Sequence, residues 1–321
     1  MIGLRLCLIC IEWQGRVLST FRLRNLRCIL PRVTLSVVLI TQNEEHNLPR
    51  TLESVLPLVN DGKGEIIVVD SGSTDRTVEI AQSFGAKVFV EAWKGFAAQK
   101  NSAMDKASMD WVLQLDADEA LEPGLAHEVS WVLNGIEVWE RDGFPVDDDP
   151  QSRELRNRGL RYGFDDDLVG FYIPRRNMFL GRWIRYGGFY PDQKLRLIRR
   201  GAGRFEEYGA HPTVRLTETR GIGRLKHAML HDAYPTLRGY IDHMNSYSSM
   251  GAEVAVAKGY RRFSVTNIVL RPLLTFIYNY FFRLGFLDGR EGLLLHLYHS
   301  AYVSWKYAKA WELSGPNVLK D

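Results

Sequence analysis

The chain has 321 residues, 45% hydrophobic and 25% charged, enough for a sizeable core in one large or two modest domains. Its formal net charge of +3 is too small to argue for nucleic acid, and no nucleic-acid partner is expected. Cys7, Cys10 and Cys28 all fall near the N-terminus, so the remainder has no disulfide framework, as fits a reducing compartment, and Cys7-x-x-Cys10 lacks the second pair a zinc site needs.

In residues 1–32 the apolar stretches are broken by Arg5, Arg16, Arg22, Arg24, Arg27 and Arg32. Glu12 ends "LRLCLICIEW" and no small-residue cleavage site follows, so a secretory signal is not formed. We read 1–32 as a basic N-terminal extension, poorly ordered or lying upstream of the native start, with a membrane-touching arm as the functional alternative.

From residue 34 the pattern alternates. "TLSVVLIT", "EIIVVD", "AKVFVEA" and "DWVLQLD" read as strands, and "HNLPRTLESVLPLV", "RTVEIAQSF" and "FAAQKNSAMDKA" as the helices between them. Ser73-Thr74-Asp75 can cap the second helix and Gly85 stop it. Near-continuous apolar strands separated by helices predict a parallel α/β sheet covered on both faces, with ligands beyond the carboxyl ends of the strands. Polar clusters fall at three such ends: "TQNEE" (41–45), "DSGSTD" (70–75) and "DADE" (116–119). A turn explains any one of them; three on one sheet edge predict a pocket. Asp116 and Asp118 share a face of an extended segment and can serve a hard divalent cation, which is usually held by one or two carboxylates plus phosphate oxygens.

Residues 134–169 are charged and aperiodic, and we expect a flexible insertion. The segment 175–200 holds eight basic side chains, Arg175, Arg176, Arg182, Arg185, Lys194, Arg196, Arg199 and Arg200, against the single acid Asp192, and predicts an anion-binding wall. His227 and His231, four apart, could share a helix face and are read as structural. "YPTLRGYIDHMNSYSSMGAEVAVAKG" reads as a helix. The segments at about 266–286 and 290–312 are rich in aromatic residues, but Arg271, Pro272 and Arg283 interrupt the first too closely for a span of ~20 apolar residues. Both suit a segment lying in a membrane interface, with Tyr280, Phe281, Phe282 and Trp305 at the acyl boundary and Arg271, Arg283, Arg290, Lys306 and Lys309 facing anionic headgroups; simple packing on the α/β core is the structural alternative.

The first strand with "TQNEE", then "VVDSGSTDRTVEIA", "KGFAAQKNSAMDKA" and "WVLQLDADE", in this order over residues 34 to 130, resemble the family 2 inverting glycosyltransferases of GT-A fold. "NMFLGRWIRYGGFYPDQKLRLIRR" and "RPLLTFIYNYFFRLGFLDGREG" look like the branch containing lipopolysaccharide core β-1,4-glucosyltransferases. The resemblance implies a nucleotide-sugar-binding, Rossmann-like mixed sheet flanked by helices over 33–262, with amphipathic membrane-associating helices at 263–321. It implies a nucleotide-sugar donor, UDP-linked glucose being the expectation, and Mg²⁺ or Mn²⁺ as cofactor. The acceptor would be a lipid-linked glycan such as lipopolysaccharide inner core, or alternatively a polyprenyl phosphate, on the cytoplasmic face of the inner membrane, where the protein would be peripheral or monotopic. Thr41, Asn43, Glu44, Asp70, Lys100 and Asn101 fall where the family contacts the nucleotide, Asp116 and Asp118 match its acidic metal motif with Asp118 the direct ligand, and His211 is a second candidate ligand. Asp192 is the candidate general base, with Glu206, Glu207 and His211 as rivals, His211 alternatively binding phosphate. A non-catalytic membrane-bound scaffold of the same fold is the reading from another class.

Overall fold

The run "LSVVLIT" becomes β1 (Leu35–Thr41), buried along nearly its whole length because parallel neighbours flank it on both sides. The computed structural model describes residues 34–60, 62, 64–133, 168–208, 211–217 and 221–315, all within the compact unit Arg32–Asp321. The side chains of Trp131, Glu207, Tyr208 and His211 lie outside that description, as do the N-terminal extension and residues 134–167 of the expected insertion. Leu168 and Val169, expected at the end of that insertion, are strand residues.

The first half follows the expected alternation. After β1 come α1 (Leu48–Val59), β2 (Gly64–Asp70), α2 (Thr77–Ser83), β3 (Lys87–Val90), α3 (Phe96–Asp105) and β4 (Trp111–Asp116). The order β3-β2-β1-β4 is wholly parallel, which the crossover helices make possible. Helix α1 buries Leu48, Leu52, Val55, Leu58 and Val59 on the sheet, the stripe expected at helical spacing. The N-cap position of α2 is Arg76, without a side-chain cap bond, but the carboxylate of Asp75 just before it accepts from the Thr77 backbone N–H at 3.0 Å, and Gly85 beyond the helix end adopts φ of 74°.

The second half makes the sheet mixed. It adds β5 (Glu119–Leu121), α4 (Pro123–Leu133), β6 (Leu168–Phe179), β7 (Arg182–Trp183), β8 (Asp192–Arg199), a hairpin of β9 (Gly203–Tyr208) and β10 (His211–Leu216), β11 (Gly221–Arg224) and β12 (Met229–Tyr234). Strand β8 pairs antiparallel with both β4 and β6, and β12 lies parallel to β6 and antiparallel to β5. The segment "DADE" is thus closed in by β6, β8 and β12 from much later in the chain, giving the mixed sheet of the expected GT-A class.

Helix α5 (Leu237–Ala257) opens with the Thr236 hydroxyl accepting from Gly239 N–H at 3.1 Å. It packs along α7 (Gly289–Leu313) through Ala252, Ala255, Val303, Tyr307 and Ala310. Leu295 of α7 also joins Phe179, Ile184 and Tyr240 in a second cluster against the sheet. For α7, therefore, packing on the protein core is the observed arrangement. Trp305 is partly buried in that cluster, Lys306 lies over Tyr302 and Tyr307, and Lys309 donates to Asn245, Ser248 and Ser249. These three were expected at a membrane surface and instead serve the helix interface. The preceding segment differs: α6 (Arg271–Ile277), bracketed by single π-helical turns, leaves Leu273 and Leu274 more than half exposed, and Phe282 beyond it is 74% exposed. Among the described residues, no helix is long and apolar enough to cross a membrane.

Candidate active site

The carboxyl ends of β1, β2 and β4 lie side by side, and the strand registers decide which side chains meet there. Thr41 stands opposite Asp70, and its hydroxyl donates to the Asp70 carboxylate at 2.8 Å. Asp70 is fully buried and also accepts from the backbone N–H groups of Gly72 and Ser73 and from the Ser73 hydroxyl. It organises the turn after β2, where Gly72 takes a positive φ. Asn43, itself in the left-handed region at φ 56°, ties that turn to the loop after β1 by accepting from Thr74 N–H at 2.9 Å. Asn101 clamps the backbone of Phe205, donating to its carbonyl and accepting from its N–H, each at 2.8 Å. Asp70, Asn43 and Asn101 therefore build the walls of a cleft they do not line.

That cleft has a volume of about 700 Å³. Thr41, Glu44, Lys100, Asp116 and Asp118, all singled out from the sequence, face it. Burial, with the nearby charges of Asp118, Asp75 and Asp116, pushes the Glu44 carboxyl above its ordinary value against the opposing Asn47 hydrogen bond. The two aspartates of "DAD" are electrostatically different. Asp116 accepts from Lys100 Nζ at 2.5 Å, Arg196 Nη2 at 2.8 Å and Gln114 Nε2 at 3.1 Å. Burial opposes its ionisation, but the Arg196 and Lys100 cations outweigh that and hold its carboxyl far below the usual range. Asp118 lies instead beside His231, whose Nε2 is 3.3 Å from Asp118 Oδ2. Burial opposes ionisation here too; the His231 contact overcomes it and leaves this carboxyl below its ordinary value.

Asp118 and His231 are suited to a divalent ion. They offer a carboxylate oxygen and an imidazole nitrogen on one wall of the cleft, whereas Asp116 is already balanced by two cations. Among the described residues there is no cluster of three or more metal-ligating side chains, so an ion here would complete its shell with ligand phosphate oxygens and water. The backbone of His211 pairs with Tyr208 in the hairpin, while its side chain lies outside the described residues.

Asp192 opens β8 and lines a second cavity of about 260 Å³, which shares Arg175, His231 and Tyr234 with the main cleft. Arg175 donates to it through two nitrogens, at 2.6 and 2.9 Å, and Lys194 Nζ lies at 2.9 Å. Burial opposes ionisation, yet the Arg175 and Lys194 charges bring its carboxyl down to about 2. Of the rivals, Glu206 is exposed and paired with Arg215, and the Glu207 side chain is outside the described residues.

The basic segment is not one wall. Arg175, Lys194 and Arg196 face the cleft, but Arg176 pairs with Glu122, Arg182 lies 3.7 Å from Glu291, Arg185 stacks on Trp183, and Arg199 and Arg200 donate to the Leu168 and Met109 carbonyls. Strand alternation and the intervening loop distribute the charges to different faces. Fully buried Glu119 accepts from both Arg175 and Arg196 and fixes them in place. The histidine pair is also corrected. The segment "MLHDAY" is strand β12, not helix, because it pairs with β5 and β6; its period of two turns His231 and Ala233 to the cleft. Tyr234, His243 and Tyr247, joined by ring contacts, complete an aromatic wall with no signal in the sequence beyond composition.

Residues 36–201, just over half of the chain, match the family model described as Glycosyl transferase family 2. The protein is a glycosyltransferase. More particularly, the chain belongs to glycosyltransferase family 2. Over 290 residues it is 28% identical to the lipopolysaccharide core biosynthesis glycosyltransferase LpsC of Rhizobium meliloti (strain 1021), a match covering 88% of this chain and 94% of that one. An uncharacterized glycosyltransferase of Rickettsia typhi (strain ATCC VR-144 / Wilmington) is 43% identical over 99 residues, which is 31% of this chain and 32% of its own length. Among solved structures, the mannosyltransferase PcManGT of Pyrobaculum calidifontis, in complex with GDP-Man and Mn²⁺, aligns over 86% of each chain at 15% identity and a TM-score of 0.47. Glucosyl-3-phosphoglycerate synthase of Mycobacterium tuberculosis, with Mn²⁺, uridine diphosphate and glucosyl-3-phosphoglycerate, is 32% identical over 31% of this chain and 38% of that one, at a TM-score of 0.27.

Proposed function

We propose that this protein is a divalent-metal-dependent inverting glycosyltransferase that moves a hexose from a UDP-linked donor to a lipid-linked glycan of the lipopolysaccharide inner-core kind. The observation that carries the metal-dependent reading is the contrast within "DAD": Asp116 is neutralised by Lys100 and Arg196, while Asp118 faces the cleft beside a histidine nitrogen. When bound there, Mg²⁺ or Mn²⁺ would neutralise the departing diphosphate as a Lewis acid. Thr41 and Glu44 line the same cleft and can accept hydrogen bonds from a nucleoside.

Inversion requires the acceptor oxygen to attack the anomeric carbon from the face opposite the leaving group. As the new C–O bond forms, the hydroxyl proton passes to the base and the bond to the diphosphate breaks, its electron pair leaving with the diphosphate. Asp192 is the base in this reading. Its low pKa guarantees the carboxylate form and costs basicity, so the incoming hydroxyl must displace part of the Arg175 and Lys194 pairing. The 28%-identical rhizobial relative, matched over nearly its whole length, supports a lipopolysaccharide acceptor. The exposed apolar side chains Leu273, Leu274, Phe281 and Phe282, with Arg283 beside them, support peripheral attachment to an anionic membrane face. The experiment is a thermal-shift panel of nucleotide sugars with and without Mn²⁺, followed by donor-hydrolysis assay. Stabilisation by a UDP-sugar only with metal is expected, and equal stabilisation in excess EDTA would overturn metal dependence.

A further inference from the structure

Between the proposed metal side and the proposed base side lies one amide. Strand register sets Asn177 of β6 directly opposite His231 of β12. Asn177 Oδ1 lies 2.7 Å from His231 Nδ1, and Asn177 Nδ2 donates to Asp192 Oδ2 at 3.2 Å and to the Phe189 carbonyl at 3.5 Å. Both partners of Nδ2 are pure acceptors, so the amide has one satisfactory orientation, with its oxygen toward the imidazole. An amide oxygen can only accept, so His231 Nδ1 carries a hydrogen, and Nε2 is the ring nitrogen turned to Asp118 and the cleft.

We infer that Asn177 is a positioning residue serving both halves of the reaction: its oxygen holds the His231 ring and tautomer for a divalent cation, and its nitrogen holds Asp192 for the acceptor hydroxyl. The inference rests on the metal-dependent reading above. It explains why a half-buried amide lies where the two cavities meet, lining the smaller one with His231 and Asp192. Imidazole ligands characteristically donate their second ring N–H to a fixed acceptor, and removing that acceptor typically weakens metal binding about 10–100-fold. Arg175 donates to the same Asp192 Oδ2 at 2.6 and 2.9 Å while Lys194 lies beside Oδ1, and Asn177 adds a neutral third donor that links this carboxylate to the His231 ring.

The test is calorimetric titration of Mn²⁺ into the full-length protein saturated with UDP, run beside a transfer assay. Asn177→Leu, which removes both bonds, should weaken Mn²⁺ binding by about 10–100-fold and depress transfer. Asn177→Asp keeps an acceptor for His231 but sets a second carboxylate against Asp192. It should retain Mn²⁺ affinity close to wild type while losing transfer, a split that a merely structural role would not produce. Wild-type Mn²⁺ affinity in Asn177→Leu overturns the positioning role and leaves the metal reading intact. Absence of Mn²⁺ binding by the wild-type UDP complex overturns the metal reading itself, and the inference with it. Should thermal melting show Asn177→Leu unfolded, Asn177→Asp decides: retained affinity with lost transfer supports the inference, and any other pattern overturns it.

Discussion

Arg196 Nη2 sits 2.8 Å from an Asp116 carboxylate oxygen and equally close to buried Glu119, so one guanidinium bridges two acids beneath the cleft, each of which has a second cation in Lys100 or Arg175. Removing one member of a buried ionic network strips each acid of a cation and of hydrogen bonds, which is strongly destabilising. Arg196→Met should therefore lower unfolding free energy by about 3–5 kcal/mol, measured by urea denaturation. An unchanged midpoint would mean that water already solvates Asp116 and Glu119.

A second acid, remote from the cleft, contributes to the acid limb of stability. Glu65 is buried and accepts from Ser36 at 2.6 Å, Lys87 at 2.7 Å and the Ser108 backbone N–H at 2.7 Å. Burial opposes its ionisation, but these donors bring its pKa to about 2 from 4.5. A depressed folded pKa gives stability that is full above the unfolded value and is lost as pH falls through the folded one. Wild type should therefore lose on the order of 2 kcal/mol between pH 5 and pH 2 that Glu65→Gln does not. Parallel stability–pH curves for the two proteins would refute this.

Within "DAD" and β8, two substitutions should separate binding from chemistry. Asp118→Asn should fold and bind UDP weakly even with Mn²⁺, whereas Asp192→Asn should keep donor affinity and lose transfer by roughly 10²–10⁴-fold. Calorimetry with UDP and a radiolabelled-sugar transfer assay distinguish them. If Asp192→Asn transfers normally and Glu206→Gln or Glu207→Gln does not, the base lies on the β9–β10 hairpin.

The packing of α7 changes how membrane attachment is best tested. Truncation after residue 262 would remove Leu295, Val303 and Ala310 from the core as well as the exposed segment. Replacing Leu273, Leu274, Phe281 and Phe282, each more than half exposed, by serine leaves the core intact. This quadruple variant should sediment with anionic vesicles much less than wild type while retaining its melting temperature. Equal sedimentation would move attachment elsewhere, with the basic N-terminal segment next to be tested.

The α/β alternation from β1 to β4, the carboxyl-edge clusters and the acidic pair after β4 were legible because local periods report them: runs of buried β-branched residues, helical stripes and polar strand ends. The likeness to family 2 lay in those same stretches, and the matched family model spans them. Local pattern did not show which acid is balanced. Asp116 and Asp118 look alike in sequence, and their difference comes from Lys100 on α3, Arg196 on β8 and His231 on β12, set beside them by the tertiary fold, His231 standing 113 residues after Asp118. The same holds for the basic segment, dispersed by alternation and loops, and for His231, misread at helical spacing because its strand partners β5 and β6 are distant in the chain. Asn177 gives no sign in sequence, since its meaning lies in the register that sets it opposite His231 and within reach of Asp192. Charges and hydrogen bonds act through space with a short reach, so residue order could name the groups at the sheet edge, and only the tertiary arrangement decided which of them neutralise, orient or leave free one another.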